Sequence, residues 1–349
     1  MAAKIGVGIV GAGFAGRLHA EAYRRCPSAI LIAIASPNPL TLENFQAQFN
    51  IPHAYTNYEE LLKRKDIELV SISVPTFLHK DVAIAAMQQK KHVVCEKPLA
   101  LNSAQAEEML ATAKREGVLL MYAEDWIFAP ALRKAVEICS EGAIGDVLVV
   151  RGKESHSGSH SKYAKRIDYC GGGALIHLGI HPIGFGLYFF EKRPRRVLGV
   201  MTPGGNANLL HKDIEGEDWG IGVIEFEDGK ICQIEANYIT RGGMDDVVEF
   251  YGTEGVIKVN LTQGSPLLVF SRVGLKYTVE KAELTTGWSF PAVDEFRSLG
   301  YQDEIEHFVQ CVLKEKEPQR GVRGIDGMRA LEVLEKIYES AKHGKVVHM

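Results

Sequence analysis

Two imidazoles four residues apart, His177 and His181, sit in the apolar stretch GGGALIHLGIHPI (171–183), directly behind three consecutive glycines. Residues i and i+4 share a helix face, and two neutral imidazoles on such a face can hold a transition metal. His181 can equally act as a proton shuttle while His177 donates a hydrogen bond to substrate, since histidine changes charge near neutral pH. A third reading makes both of them satisfied core histidines, but four histidines and a glycine run near one expected cleft are hard to explain by packing. Pro182 bears on each reading, because it kinks or delays a helix and disturbs a shared face. His156 and His160, in KESHSGSHSKY, precede the pair in a polar loop, and Glu124, in YAEDW, ends a strand pattern. Loop polarity and an ordinary strand end explain His156 and Glu124 nearly as well as function does. A divalent transition metal at His156 and His177 would polarise a carbonyl and ease proton abstraction beside it.

A second constellation is GAGFAG, in which Gly11, Gly13 and Gly16 make G-x-G-x-x-G after the strand pattern IGVGIV (5–10) and at the start of the helical FAGRLHAEAYRRC. In that context Gly11 permits a tight turn, Gly13 lets the backbone approach a pyrophosphate, and Gly16 lets helix and strand pack closely. The helix N-terminus attracts the anionic diphosphate. At the end of the second strand, where an acid would bind the ribose of NAD or an Arg the phosphate of NADP, this chain has Ser36, Pro37 and Asn38. Ser36 and Asn38 can bond the ribose hydroxyls, and the lack of a cation favours NAD over NADP. Lys97 stands at the C-terminal end of a parallel strand pattern, the sheet edge where ligands bind, with Pro98 restricting its backbone.

These residues need elements to hold them. Short apolar runs at 5–10, 30–35, 69–74, 92–96 and 118–123 alternate with helical segments at 40–49, 78–90 and 103–117, which predicts a doubly wound parallel sheet. After about residue 123 the pattern changes. A helix at 130–142 leads into a strand at 147–155, and the loop 156–173 interrupts regular structure. Alternating runs follow at 219–239, with an Asp228-Gly229 turn, and at 247–260, with a turn at Gly252 to Gly255. Helices at 301–315 and 325–342 close the chain. The expected domains are 1–123, binding dinucleotide, and 124–349, an antiparallel sheet backed by helices that handles substrate.

With 349 residues, 46% hydrophobic, 24% charged and a formal charge of -4, the composition is that of a globular protein with no basic excess to suit nucleic acid or anionic membrane. The N-terminus lacks a signal-peptide core, and no run of about 18 apolar residues suggests a membrane span. The six cysteines are scattered without a C-x-x-C pair, which suits a reducing compartment. A cytoplasmic location is expected.

G-x-G-x-x-G, VPTFLH (74–79), CEKPLA (95–100) and GGGALIHLGIHPI together resemble the glucose-fructose oxidoreductase, inositol dehydrogenase and MocA-like family across nearly the whole chain. The resemblance implies an N-terminal Rossmann domain, a C-terminal domain on a large, open, mostly antiparallel sheet, redox chemistry on sugars or cyclitols, and homodimers or homotetramers through that sheet. On the cofactor side it places the glycine loop with Phe14 and Ala15, then Pro75, His79, Glu96 and Lys97, with Glu96 and Pro98 chiefly as supports. Lys97 would bond the reacting oxygen near the nicotinamide, and His181 matches the family's acid/base histidine. Four residues earlier the family usually carries Asp, where this chain has His177. The loop 156–173 resembles a sugar-processing subgroup in which an H-x-G-x-H segment lies over the substrate. Glu124, His156, His160 and Asp168 are candidate substrate contacts, and Tyr163 and Tyr169 also suit hydroxyl-rich ligands. GWSF (287–290) and 307–345 agree with the family's ending, and the latter reads as scaffold. The reading is an NAD-dependent oxidoreductase moving hydride at a secondary carbinol of a sugar, glycoside or cyclitol. Two alternatives stay open: a metal-assisted, glycoside-cleaving enzyme that uses the hydride step transiently, and a non-enzymatic dinucleotide sensor.

Overall fold

The computed structural model describes residues 3–159, 161–264, 269–271, 286–289 and 294–349. It separates into two compact units, one of Met1–Asp125 with Gly300–Arg329, the other of Trp126–Leu299 with Ala330–Met349.

In the first unit, β1 (Ile5–Val10), α1 (Phe14–Arg25), β2 (Ala29–Ala35), α2 (Pro39–Phe49), β3 (His53–Tyr55), α3 (Tyr58–Leu62), β4 (Leu69–Ile72), α4 (His79–Gln88), β5 (His92–Cys95), α5 (Ser103–Glu116) and β6 (Leu120–Tyr122) follow in order. The strands form a six-stranded parallel sheet in the order β3-β2-β1-β4-β5-β6, a doubly wound sheet that reverses direction beside β1. All residues of β1 and β4 are buried, as strands covered on both faces must be. Asn102 caps α5, its side chain accepting from the Gln105 N–H, and Gly117 ends it in the left-handed region at φ 68°. Sequence reading did not show β3 and α3, which have three and five residues and are too short to display a period. Nor did it show that 300–329 returns to this unit. There the helix Tyr301–Leu313 packs on α1, and the Tyr122 N–H donates to Val322 O at 2.8 Å.

In the second unit, α6 (Pro130–Ser140), β7 (Val147–Ser155), α7 (Ile167–Cys170), a π turn (Leu175–Gly179), α8 (Ile180–Phe190) and β8 (Pro194–Met201) precede β9 (Trp219–Phe226), β10 (Ile231–Asn237), β11 (Val247–Gly252) and β12 (Val256–Asn260). The sheet runs β12-β11-β7-β10-β9-β8 and then Val347–His348; β7 and β10 are parallel and every other pair is antiparallel. Burial alternates strictly along β9, so one face is the core and the other is open. The buried face takes α8 at close range. A Cβ on Gly152 would lie 2.5 Å from Pro182 Cβ, and one on Gly220 would lie 2.7 Å from the Leu175 side chain. Contrary to the sequence expectation, Ile167–Phe190 is by length and composition apolar enough to cross a membrane. However, 78% of its most apolar window is buried within the protein, which accounts for that composition. The loop expected at 156–173 contains the short helical pieces Lys162–Lys165 and α7. All six cysteines are free.

Candidate active site

In the first unit the glycine loop has the constraints its spacing suggested. Gly11 sits at φ +113°, and a Cβ there would lie 2.4 Å from Ser73 O. A Cβ on Gly16 would lie 2.1 Å from Gly11 O, whereas one on Gly13 would meet nothing within 4 Å. Gly11 and Gly16 therefore serve the fold, and Gly13 leaves open space in front of the helix. No side chain caps α1 and no acid stands in its first turn, so its N–H groups and dipole are available to an anion. Phe14 is exposed and Ala15 half-buried beside this opening. These features fit the diphosphate of a dinucleotide.

Ser36 is buried at the end of β2. Asn38 is the N-cap of α2, its Oδ1 accepting from the Thr41 N–H at 3.0 Å, so any ribose contact falls to its amide nitrogen. Pro75 is half-buried before α4. His79, expected on the cofactor side, is buried between two loops. It is 1% exposed, and its two ring nitrogens lie 2.9 Å from Pro98 O and Val74 O. Burial lowers its pKa, and a neutral ring donates to one of these two carbonyls at a time.

Lys97 is half-buried just past β5, and its backbone N–H donates to Glu96 Oε2 at 3.0 Å. Glu96 Oε1 lies 2.9 Å from His19 Nε2, and His19 Nδ1 lies 2.6 Å from Ser71 Oγ. Burial alone would raise the Glu96 pKa. Bonding and charge from His19, with Lys97, outweigh it and hold the carboxyl below its ordinary value. Sequence reading missed His19, whose only mark was its place on the buried face of α1. Glu124, directly after β6, is fully buried and accepts from Tyr122 Oη at 3.3 Å.

In the second unit the two histidines meet different neighbours. Pro182 has no N–H to give Leu178 O, and the turn before it widens into the π turn, whose bonds close i to i+5. His181, 3% exposed, stacks on Trp126 with ring centroids 5.6 Å apart, and its Nε2 lies 3.6 Å from Glu154 Oε2. His177, half-buried, places Nδ1 2.6 Å from Tyr238 Oη. The ring of His156 stacks on Tyr238 at 5.3 Å.

The glycine run has a structural cause. The buried Glu217 carboxylate accepts from the Gly173 and Leu175 N–H groups at 3.0 and 2.8 Å and from Tyr338 Oη at 2.9 Å, which caps the helix start from a distant loop. A Cβ on Gly173 would lie 1.9 Å from Glu217 O, and one on Gly172 2.3 Å from Tyr338 Oη. Burial leaves Glu217 with a raised pKa despite these bonds.

The expected metal pair does not fit. His156 Nδ1 accepts from the Gly158 N–H at 3.0 Å, which puts the ring's proton on Nε2. A metal-bound histidine instead donates through its second nitrogen. Among the described residues, no set of three ligand side chains within coordinating reach includes His156 or His177. Asp168 is exposed in α7, 3.5 Å from Arg166, while Tyr163 and Tyr169 pack edge to face at 5.6 Å. His160 and Phe290 lie outside the described residues. Trp126, Glu154, Glu217 and Tyr238 went unseen in the sequence because each acts across long sequence separations; their one local signal was position at or beside strand ends.

A doubly wound sheet with an open glycine loop, followed by a mixed sheet carrying a buried histidine and carboxylate, defines a nucleotide-dependent oxidoreductase. The chain belongs to the Gfo/Idh/MocA oxidoreductase family: the family's NAD-binding Rossmann-fold model matches residues 5–124 and its C-terminal alpha/beta domain model matches 136–349. It is an NAD-binding dehydrogenase of that family. The trans-1,2-dihydrobenzene-1,2-diol dehydrogenase of Xenopus tropicalis is 29% identical over 294 residues, 81% of each chain. The myo-inositol 2-dehydrogenase of Thermotoga maritima is 26% identical over 330 residues, 93% of this chain and 92% of that one. Among solved structures, GenD2 from gentamicin A biosynthesis, in complex with NAD, matches with a TM-score of 0.92 at 27% identity, covering 100% of this chain and 97% of that chain.

Proposed function

We propose that the protein oxidises a secondary alcohol on a ring sugar, glycoside or cyclitol, or reduces the matching ketone, with NAD as the hydride partner. The observation that carries this reading is His181, buried on Trp126 with Glu154 Oε2 at 3.6 Å. In the oxidation, the carbinol O–H proton passes to the His181 imidazole, and Glu154 stabilises the imidazolium that forms. NAD, held at the Gly11–Gly16 loop, would supply the acceptor for the carbinol hydride. Lys97, its backbone fixed through Glu96 and His19, bonds the reacting oxygen, and His177 contacts a neighbouring oxygen. Ser36 and Asn38, with no cation beside them, favour NAD over NADP. The diol and inositol dehydrogenases mentioned above are named for compounds with adjacent ring carbinols, which supports the substrate class.

The test is NADH formation from a panel of myo-inositol, levoglucosan, apiose and simple glycosides, run with NAD and with NADP. NADH equal to ketone formed, with NAD preferred, is expected. Loss of an aglycone with no net NADH would replace this reading by glycoside cleavage, and tight NAD binding with no turnover on any polyol would replace it by dinucleotide sensing.

A further inference from the structure

We infer that Tyr238 donates its hydroxyl proton to His177 Nδ1, holding His177 as the Nε2–H tautomer, a neutral hydrogen-bond donor toward substrate. The part concerning substrate rests on the function proposed above; the tautomer does not. Oη and Nδ1 are 2.6 Å apart, a short bond that one proton must occupy. Between two neutral rings, the imidazole nitrogen is the stronger base and the phenol the stronger acid, so O–H to N is the favoured direction. Tyr238 is fully buried, and burial, reinforced by nearby Glu217, pushes its pKa well above the ordinary value, so the phenol keeps its proton.

The phenol is held from several sides. Its ring stacks on His156 and meets His211 edge-on, and its own carbonyl lies 2.8 Å from His211 Nε2. The neighbouring His156 reaches the same tautomer by another route, because its Nδ1 accepts from the Gly158 N–H. Two imidazoles flanking one tyrosine therefore both carry their proton on Nε2. Such rings offer donors to hydroxyl or ether oxygens. They offer neither a fixed negative charge nor a lone pair for a cation.

Tyr238 is thus a positioning residue, and its test reads the histidine directly. Nitrogen-15 spectra of histidine-labelled, NAD-saturated protein near neutral pH, with His177 assigned by its loss in His177→Gln, should show Nδ1 unprotonated and hydrogen-bonded, and Nε2 protonated. In Tyr238→Phe, which removes one oxygen and keeps the ring, the Nδ1 resonance should move, and kcat/KM on a polyol substrate should fall roughly fivefold. A ring protonated at Nδ1 in the wild type, or an Nδ1 resonance that does not move in Tyr238→Phe, overturns the inference. The spectrum needs no turnover: the expected signature in a protein that oxidises no polyol would defeat the proposed function and leave the tautomer standing.

Discussion

The two units solve the same problem, placing reactive groups exactingly, by different means. In the first, a contiguous loop does most of the work: Gly11, Gly13 and Gly16 lie within six residues, and Lys97 is aimed by its own neighbour Glu96. In the second, the placed groups other than His156 are held by partners far along the chain. Glu217 caps the helix start from 44 residues away, Tyr238 holds His177 from 61, and Glu154 on β7 faces His181 on α8. The cofactor side is built from backbone, whose requirements are common to any dinucleotide. The substrate side is built from side chains in tertiary contact, which can be exchanged one at a time to suit another ligand.

Substitutions can break this contrast, and the largest effect is expected at His181. His181→Asn should lower kcat/KM about a thousandfold, the range of a lost general acid/base, with NAD affinity by calorimetry unchanged. Gly11→Ala, strained at φ +113° with its Cβ against Ser73 O, should cost about 3 kcal/mol in denaturant unfolding and abolish NAD binding. Gly173→Ala, with its Cβ against Glu217 O, should cost about 2 kcal/mol and lower turnover while the glycine loop still binds NAD. Loss of NAD binding there would erase the distinction between the units. Gly13→Ala is the smallest change to the fold, within about 0.5 kcal/mol, since its Cβ meets no protein atom. Weaker NAD binding at unchanged melting temperature is the expected sign that the space in front of Gly13 belongs to the cofactor.

A pH series sharpens the same comparison. Glu96 has a lowered folded pKa, so the stability it contributes is fully present above the ordinary value of 4.5 and is lost as pH falls through the folded value. Glu217 has a raised one, so its contribution is present below 4.5 and is lost as pH rises through its folded value. The melting-temperature gap between wild type and Glu96→Gln should therefore narrow on acidification below 4.5, and a gap that widens would contradict the Glu96 assignment.

The contrast also explains what the sequence made legible. Runs such as IGVGIV and the capped helix after Asn102 declare themselves locally, and the glycine spacing carries its own context. Three-residue β3 has no room for a period, and the return of 300–329 to the first unit is a tertiary fact. His177 and His181 were recognisable as chemistry, but their partners Tyr238, Trp126 and Glu154 were not, since each lies far along the chain. The glycines before them pointed toward a cleft, and the structure shows that they also make room for Glu217 and Tyr338.

Hydride transfer between a ring carbinol and NAD is tested most directly with a polyol substrate deuterated at its carbinol carbons, incubated with the protein and NAD and followed by mass spectrometry of cofactor and product. One deuterium on the nicotinamide for each ketone formed is the predicted result. Ketone or cleaved product formed without deuterium reaching the nicotinamide would contradict the account.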